Sequence, residues 1–424
     1  MRITTISIFC ILFSLITEAQ TYKFDFTDSK KVKSGYIKIG ENDTFSVNNK
    51  YGFDLLKSIK VNDVEPFFFS IALPDGNYHI TAIIGGKKRK AESSIRGESR
   101  RLFFENIETK KGELKKCSFV INKRDKHISE KENVNIKPRE NKKLNWDDKL
   151  TLEFNGDSPL LSELIVERVD SVPTIFLCGN STVVDQDNEP WASWGQMITR
   201  FFNDSICFAN YAESGESANT FIAAGRLKKA LTQMKKGDYI FMEFGHNDQK
   251  QSGPGKGAYY SFMTSLKIFI DEAKLKGAYP ILVTPTQRRS FDKNGKIMDT
   301  HKDFPEAIRF LAYKENIPLI DLHQMTRTLY EALGEENSKK AFVHYSAGSY
   351  PGQTSELADN THFNPYGAYQ ISKCVIEGMK KANLPIIKYL REDYNEYNPA
   401  YPDEIAKFRW NNSPFTEIEK PDGN

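Results

Sequence analysis

Cysteine is scarce in this sequence, with only five in 424 residues. That number is far too low for a disulfide scaffold. No CxxC pair is present, and Cys178 and Cys207 fall in short apolar runs typical of buried strands. A free thiol in such a run usually packs as a small hydrophobic side chain.

An excess of either charge is also missing, since 59 Lys and Arg stand against 56 Asp and Glu, a formal net charge of +3. This balance predicts no nucleic-acid partner and no binding to an anionic membrane surface. Beyond the N-terminus no apolar run reaches transmembrane length, and no fixed-period repeat is visible. The sequence therefore predicts no membrane span.

The chain has enough apolar material to fold, with 39% hydrophobic and 12% aromatic residues. Bulk disorder is excluded on this composition. At roughly 100 to 200 residues per domain, the length predicts at least two domains.

Residues 1–19 have the pattern of a signal peptide. Arg2 precedes the apolar run 6–16, and the small residues Thr17 and Ala19 occupy the positions that a signal peptidase reads. We expect cleavage near Ala19 and export to the periplasm or the medium, the alternative being a buried N-terminal helix. Cys10 lies inside the apolar run, which favours a free product over a lipid-anchored one.

Residues 20–171 contain short β-like runs separated by turns such as Pro74-Asp-Gly76 and Asn155-Gly156. This spacing predicts an all-β sandwich domain. Residues 123–143 are rich in charge and nearly without apolar side chains, so we expect an exposed loop or irregular excursion there.

Residues 172–385 alternate between strand-like and helix-like segments. Five buried strands are expected, at 174–178, 206–211, 239–244, 280–284 and 318–321. Since parallel strands need crossover connections, the prediction is a three-layer α/β/α sandwich with a five-stranded parallel sheet and a ligand site beyond the carboxyl ends of the strands. Residues 386–424 are interpreted as an aromatic-bearing extension that packs back on a domain.

Polar residues stand at those strand ends. Ser181 follows the first strand, Gly215 the second and Asn247 the third, and Asp359 and His362 precede the last predicted helix. A serine hydroxyl is a weak nucleophile that needs a base and preorganised donors for the developing oxyanion. We therefore predict Ser181 as nucleophile, His362 as base and Asp359 as its orienting acid, with the N–H groups of Ser181 and Gly215 and the Asn247 amide as the oxyanion hole.

Each motif alone is weak, but the ordered set resembles a known family. The segments 179–181, 215, 245–248 and 359–362 are similar to the four consensus blocks of the SGNH (GDSL-like) hydrolases. Within this family, the segments Gly179-Asn-Ser-Thr-Val183, Ala192-Ser-Trp-Gly-Gln196, Phe244-Gly-His-Asn-Asp248 and Asp359-Asn-Thr-His-Phe363 most resemble rhamnogalacturonan acetylesterases. The resemblance implies deacetylation of a pectin backbone with no metal or organic cofactor. The first half is similar, by architecture, to galactose-binding-like modules. Asn180 departs from the Asp that usually precedes the serine, which puts the usual local hydrogen bonding in doubt.

Other residues allow competing interpretations. Asp321 and His323 form a rival acid and base pair. His344 with His362 and Asp359 could surround zinc, but the ligand spacing is wrong and we predict no metal. Trp191 and Trp194 are candidates for stacking on sugar rings, and His246 for shaping the pocket, with core packing as the alternative for each.

The predicted function is that of an exported carbohydrate O-acetylesterase, a monomer acting on an acetylated polysaccharide or oligosaccharide through an acetyl-enzyme. Two alternatives stay open: another ester specificity, such as acetylxylan, on the same machinery, and a non-catalytic glycan-binding protein.

Overall fold

A computed structural model describes residues 21–56, 64–414 and 419–422. The predicted signal peptide, with Cys10, lies outside the described residues. Within these ranges, no helix combines the length and the apolar character needed to cross a bilayer.

In the first half of the chain, the described residues 21–56 and 64–171 carry twelve strands. They are β1 (Thr21–Asp25), β2 (Ile37–Lys38), β3 (Tyr51–Asp54), β4 (Phe67–Ala72), β5 (Gly76–Gly85), β6 (Ala91–Gly97), β7 (Arg101–Thr109), β8 (Leu114–Lys123), β9 (His127–Ser129), β10 (Glu132–Asn133), β11 (Lys149–Ser158) and β12 (Leu161–Arg168). Ten of them form two five-stranded sheets, in the orders β2-β1-β12-β5-β8 and β3-β4-β11-β6-β7. All neighbours are antiparallel except β1 and β2.

The two sheets share one hydrophobic core. Strand β5 shows how the sequence produces it, because Tyr78, Ile80, Ala82 and Ile84 alternate along the strand and all four are buried in that core. Alternate residues of a strand point to the same face of the sheet, so this period-two pattern supplies one apolar face.

Most of the segment 123–143 is exposed or half-buried, as expected from its charge, but some of its charged side chains are buried. Strands β9 and β10 make a small hairpin, and a turn of 3₁₀ helix follows at Pro138–Lys142. Glu140 is fully buried and accepts hydrogen bonds from Trp146 Nε1 at 2.9 Å and Arg226 Nη1 at 3.0 Å. The buried Lys143 Nζ donates to Glu213 Oε2 at 2.8 Å. The charges are buried because their partners lie in the second half of the chain.

The second half, from residue 172, contains the predicted parallel sheet. Its strands are β13 (Thr174–Gly179), β14 (Cys207–Asn210), β15 (Tyr239–Glu243), β16 (Tyr279–Val283) and β17 (Leu319–Ile320), in the order β14-β13-β15-β16-β17. All neighbours are parallel, which confirms the predicted five-stranded parallel sheet. An antiparallel pair, β18 (Phe342–Tyr345) and β19 (Leu357–Phe363), lies outside it.

Helices cover both faces of this sheet. They are α1 (Trp194–Met197), α2 (Ala218–Ala223), α3 (Arg226–Gln233), α4 (Met263–Leu275), α5 (Phe304–Glu315), α6 (Leu322–Ser338) and α7 (Pro365–Lys381). Along β13, Ile175 and Leu177 belong to a core with α1, α6 and α7, whereas Phe176 and Cys178 belong to a second core with α2 to α5. A strand buried on both faces is the signature of an α/β fold.

Local signals position the ends of these elements. The Asn364 side chain caps α7 by accepting from Gly367 N–H at 3.0 Å, and Pro365 takes the first helical position, as predicted. Cys117, Cys178, Cys207 and Cys374 are all buried and unpaired. In the C-terminal extension, Tyr389, Tyr394 and Trp410 pack against the core next to α7.

Candidate active site

Ser181, His362 and Asp359 form a continuous hydrogen-bonded chain at the carboxyl end of the parallel sheet. Ser181 Oγ lies 2.8 Å from His362 Nε2, and His362 Nδ1 lies 2.8 Å from Asp359 Oδ2. The serine and the histidine are 181 residues apart in the sequence, and all three side chains are buried. The fold thus brings Ser181, at the end of the first parallel strand, against the segment that carries Asp359 and His362.

An irregularity in β19 positions the side chains of Asp359 and His362. Phe342 pairs with Phe363, but the next residue, Val343, pairs with Asp359, so residues 360–362 bulge out of the ladder. Asp359 Oδ1 accepts the N–H groups of Thr361 at 2.9 Å and His362 at 3.0 Å, which leaves Oδ2 for the imidazole. Bulges re-aim side chains in this way next to active sites.

The Asp359 carboxyl is held in its charged form. Burial alone raises its pKa, but the hydrogen bond from His362, the charge of that ring and the two backbone N–H groups outweigh burial and lower the pKa well below the usual value. An ionised acid fixes the imidazole tautomer with Nδ1–H toward Asp359, so that Nε2 can accept the Ser181 proton.

Two loops beside Ser181 carry the predicted oxyanion donors. Gly215 has a positive φ of 79°, a conformation that glycine adopts without strain. Asn247 Nδ2 donates to the Glu216 carbonyl at 3.0 Å, so its second N–H stays available for a ligand. Asp248 joins the two loops, since Oδ1 accepts from Ala218 N–H at 2.8 Å and Oδ2 from Gly245 N–H at 2.9 Å. Burial nevertheless raises the pKa of Asp248 to about 6.

Glu243 lies beneath the serine turn at the end of β15. Its Oε2 accepts from Trp194 Nε1 at 2.5 Å, and its Oε1 lies 2.9 Å from Thr182 Oγ1. Burial raises the pKa of Glu243 to about 7, against the effect of these hydrogen bonds. The turn itself is closed by Asn180, whose Oδ1 accepts from Thr182 N–H at 3.1 Å and Oγ1 at 2.8 Å. Asn180 therefore supplies an acceptor where the family commonly has Asp.

The segment that follows Ser181 is held by the turn between β6 and β7 of the first half. Arg101 donates from Nε at 3.0 Å and Nη2 at 2.7 Å to Asp185 Oδ2, and both side chains are fully buried. Arg100 donates to the carbonyls of Gln186 at 3.0 Å, Asn188 at 3.0 Å and Trp191 at 2.5 Å. Sequence reasoning missed Arg100 and Arg101 because their partners lie more than 80 positions away along the chain.

The three predicted substrate-binding side chains do not line an open surface. Trp191 and Trp194 are 1% and 0% exposed, so neither can stack on a sugar, and both pack in the core. His246 is also buried, with Nδ1 3.2 Å from His301 Nε2 and Nε2 3.2 Å from Thr286 Oγ1. Burial lowers the pKa of His246 well below its usual value. The alternative of core packing holds for Trp191 and Trp194.

Asp321 and His323, the rival acid and base predicted from sequence, contact other groups. Asp321 caps α6 by accepting from Gln324 N–H and pairs with Arg309 Nη2 at 2.8 Å. His323 is buried with its Nδ1 on the Pro285 carbonyl at 3.1 Å. The ring of His344 bonds Asn360 Oδ1 at 2.9 Å.

This α/β fold and its site define a carboxylic-ester hydrolase. Residues 157–375, half of the chain, match the family described as GDSL-like Lipase/Acylhydrolase, and the chain belongs to that family.

The chain is also similar to individual members of known sequence or structure. The chain is 40% identical over 218 residues to rhamnogalacturonan acetylesterase RhgT of Bacillus subtilis (strain 168), covering 51% of this chain and 93% of that protein. It is 24% identical over 394 residues to the uncharacterized esterase YxiM of the same organism, covering 87% of this chain and 92% of that one. The crystal structure of YxiM superposes with a TM-score of 0.46 at 22% identity, over 86% of this chain and 99% of that chain.

Proposed function

We propose that this protein is an exported carbohydrate O-acetylesterase that removes acetyl groups from the rhamnogalacturonan backbone of pectin. The observation that carries the proposal is the relay of two 2.8 Å contacts from Ser181 Oγ through His362 to Asp359. The choice of substrate is supported by the similarity to RhgT, whose name assigns it that substrate. Export rests on the pattern of residues 2–19. We further propose a monomer that needs no cofactor, with a galactose-binding-like first half.

The first chemical step is acyl transfer to the enzyme. His362 Nε2 takes the Ser181 proton as Oγ attacks the acetyl carbonyl carbon, and the carbonyl oxygen becomes an oxyanion. In this proposal the N–H groups of Ser181 and Gly215 and the Asn247 amide stabilise that charge, each donor lowering the barrier by roughly 3 to 4 kcal/mol. The imidazolium then protonates the departing sugar oxygen, which leaves an acetyl ester on Ser181.

Hydrolysis of the acetyl-enzyme repeats the same proton transfers with water. His362 Nε2 accepts a proton from the water that attacks the ester carbonyl, and returns it to Ser181 Oγ as acetate departs. Asp359 stabilises the imidazolium in both steps and stays ionised, consistent with its lowered pKa.

The decisive experiment replaces Ser181 with Ala and measures acetate release from acetylated rhamnogalacturonan and from an aryl acetate. We expect turnover to fall by more than about 10³-fold, because the covalent step is lost. Ser205→Ala, an exposed serine just before β14 at the amino end of the parallel sheet, serves as the matched control and should keep full activity. Near-native turnover by correctly folded Ser181→Ala would discard the mechanism.

Substrate choice is tested separately, with wild-type enzyme on acetylated pectin, acetylated xylan and longer acyl esters. Faster acetate release from pectin is expected. A preference for xylan or for long acyl chains would overturn the substrate while leaving the chemistry intact, and inactivity toward every ester would favour a glycan-binding protein.

A further inference from the structure

A second group of chemically active side chains lies apart from the serine relay. Asp299 and His301 belong to the loop between β16 and α5, and His323 is in the first turn of α6. One ligand atom from each of the three lies within 4.8 Å of those of the other two. Neither the proposed mechanism nor the family assignment uses these residues.

At the contact between His323 and Asp299, two hydrogen-bond acceptors lie next to each other. His323 Nδ1 lies 3.1 Å from the Pro285 carbonyl, which can only accept, so Nδ1 carries a proton. In a neutral ring Nε2 then presents a lone pair, which receives Gln287 Nε2 at 2.8 Å but also faces Asp299 Oδ2 at 3.1 Å. A lone pair and a carboxylate oxygen repel at this distance unless a positive charge, a proton or a metal ion, lies between them.

His301 distinguishes the metal ion from the proton. Its Nε2 faces His246 Nδ1 at 3.2 Å, while its Nδ1 is buried and has no hydrogen-bond partner. The His301 side chain is fully buried, and a buried nitrogen without a partner normally costs about 1 to 3 kcal/mol. A proton on His323 leaves that nitrogen unpaired, whereas a metal ion bound through His301 Nδ1 and His323 Nε2 would satisfy it. The buried Gln287 Oε1, on the amide whose nitrogen contacts His323, likewise has no hydrogen-bond partner.

We propose that Asp299, His301 and His323 bind one divalent transition-metal ion of the zinc type. Two neutral imidazoles and one carboxylate form a donor set that suits Zn²⁺ and Co²⁺ and discriminates against Mg²⁺ and Ca²⁺, which prefer oxygen ligands. Asp299 is 39% exposed, so the ion has a path from solvent and room for a water ligand. This site departs from the expectation that the protein holds no metal.

The bound ion would fix the loop after β16 to the start of α6. It would also lie one hydrogen bond away from His246, the neighbour of the predicted oxyanion donor Asn247. The site is independent of the identity of the ester substrate, so its test does not depend on the proposed function.

The chain supplies a matched control. His79 Nε2 lies 3.0 Å from Asp204 Oδ2, an imidazole and carboxylate pair of similar geometry in which no second imidazole is grouped with them. If a single pair sufficed to bind the ion, His79→Gln would reduce zinc binding as much as the substitutions at the proposed site.

The experiment uses the full chain without a polyhistidine tag, treated with a chelator and then titrated with ZnCl₂ by calorimetry. We expect one zinc ion per chain, an affinity that falls at least about tenfold in Asp299→Ala and His323→Gln, and no change in His79→Gln. Asp299 is exposed, so its variant should fold even if His323→Gln does not. Cobalt bound by the wild type should show visible absorption that Asp299→Ala loses.

Three results would overturn the proposal: no stoichiometric zinc binding by the wild type, unchanged affinity in Asp299→Ala, or displacement of zinc by equimolar Mg²⁺. The first would mean that a proton on His323 neutralises the contact.

Discussion

Two buried glutamates near the carboxyl end of the parallel sheet, Glu213 and Glu243, have opposite electrostatic surroundings. Glu213 lies where the two halves of the chain meet, and although burial raises its pKa, the charges of Lys143, Arg226 and Arg139 outweigh burial and lower it to about 2. Glu243 receives only neutral donors, and burial raises its pKa to about 7.

The comparison shows that neighbours, not depth, decide the charge of a buried carboxyl in this molecule. Carboxyls at the contact between the halves meet cations from the first half, as Asp185 meets Arg101 and Glu213 meets Lys143. Glu243 and Asp248, beneath the serine and between the oxyanion loops, meet indole, hydroxyl and backbone donors. The charged contact therefore stabilises the ionised protein, whereas under the site burial outweighs the polar contacts and favours protonated carboxyls.

Breaking the charged contact should have the largest effect. Glu213→Gln removes the nearer carboxylate of the buried Lys143 and leaves only Asp187 at 3.6 Å, and we expect about 3 to 5 kcal/mol less stability at pH 7. Because the folded pKa of Glu213 lies below the ordinary 4.5, its stabilisation is present above that pH and disappears as the pH falls toward 2. Urea unfolding of wild type and variant at pH 3 and pH 7 measures this. A difference equal at both pH values would contradict the assignment.

Glu243→Gln should show the opposite pH dependence. The folded pKa of Glu243 is raised from 4.5 to about 7, so its stabilisation is present below pH 4.5 and is lost as the pH rises through 7. The glutamine imitates the protonated acid, so the variant should match the wild type at pH 4 and exceed it by about 3 kcal/mol at pH 8. Glu130→Gln, an exposed glutamate, is the control. Wild-type stability that does not fall between pH 5 and 8 relative to Glu243→Gln would show that Glu243 is ionised.

The smallest effect is expected from Asp248→Asn, which sharpens the comparison by changing one acceptor into a donor. Only one of the N–H groups of Ala218 and Gly245 can then be satisfied, so one of the two loops loses its anchor. We expect kcat on an aryl acetate to fall about tenfold with KM nearly unchanged, because Asp248 positions donors and does not touch substrate. Asp271→Asn, on the exposed face of α4, should leave both constants unaltered. A rise in KM alone would assign Asp248 to substrate binding.

Much of the fold of the second half follows from sequence, because buried parallel strands read as apolar runs and their carboxyl ends share one edge. That rule predicted the edge at which Ser181 lies, where His362 contacts it. It could not predict the burial of Glu140, Lys143, Arg100 and Arg101, since a charged side chain enters the interior only with a partner, and each partner lies far along the chain. The prediction that Trp191 and Trp194 stack on sugar rings was wrong. The sequence does not show whether an aromatic residue beside a catalytic turn points toward solvent or into the core.

The turn between β6 and β7, which carries Arg100 and Arg101, limits where the protein can be cut into fragments. A fragment beginning at residue 172 would keep the whole catalytic relay, yet the carbonyls of Gln186, Asn188 and Trp191 would lose the guanidinium that now gathers them. Asp185 would remain as an interior anion with no counter-ion from Arg101. Anyone grafting this esterase onto another binding module should therefore move both halves as a single unit.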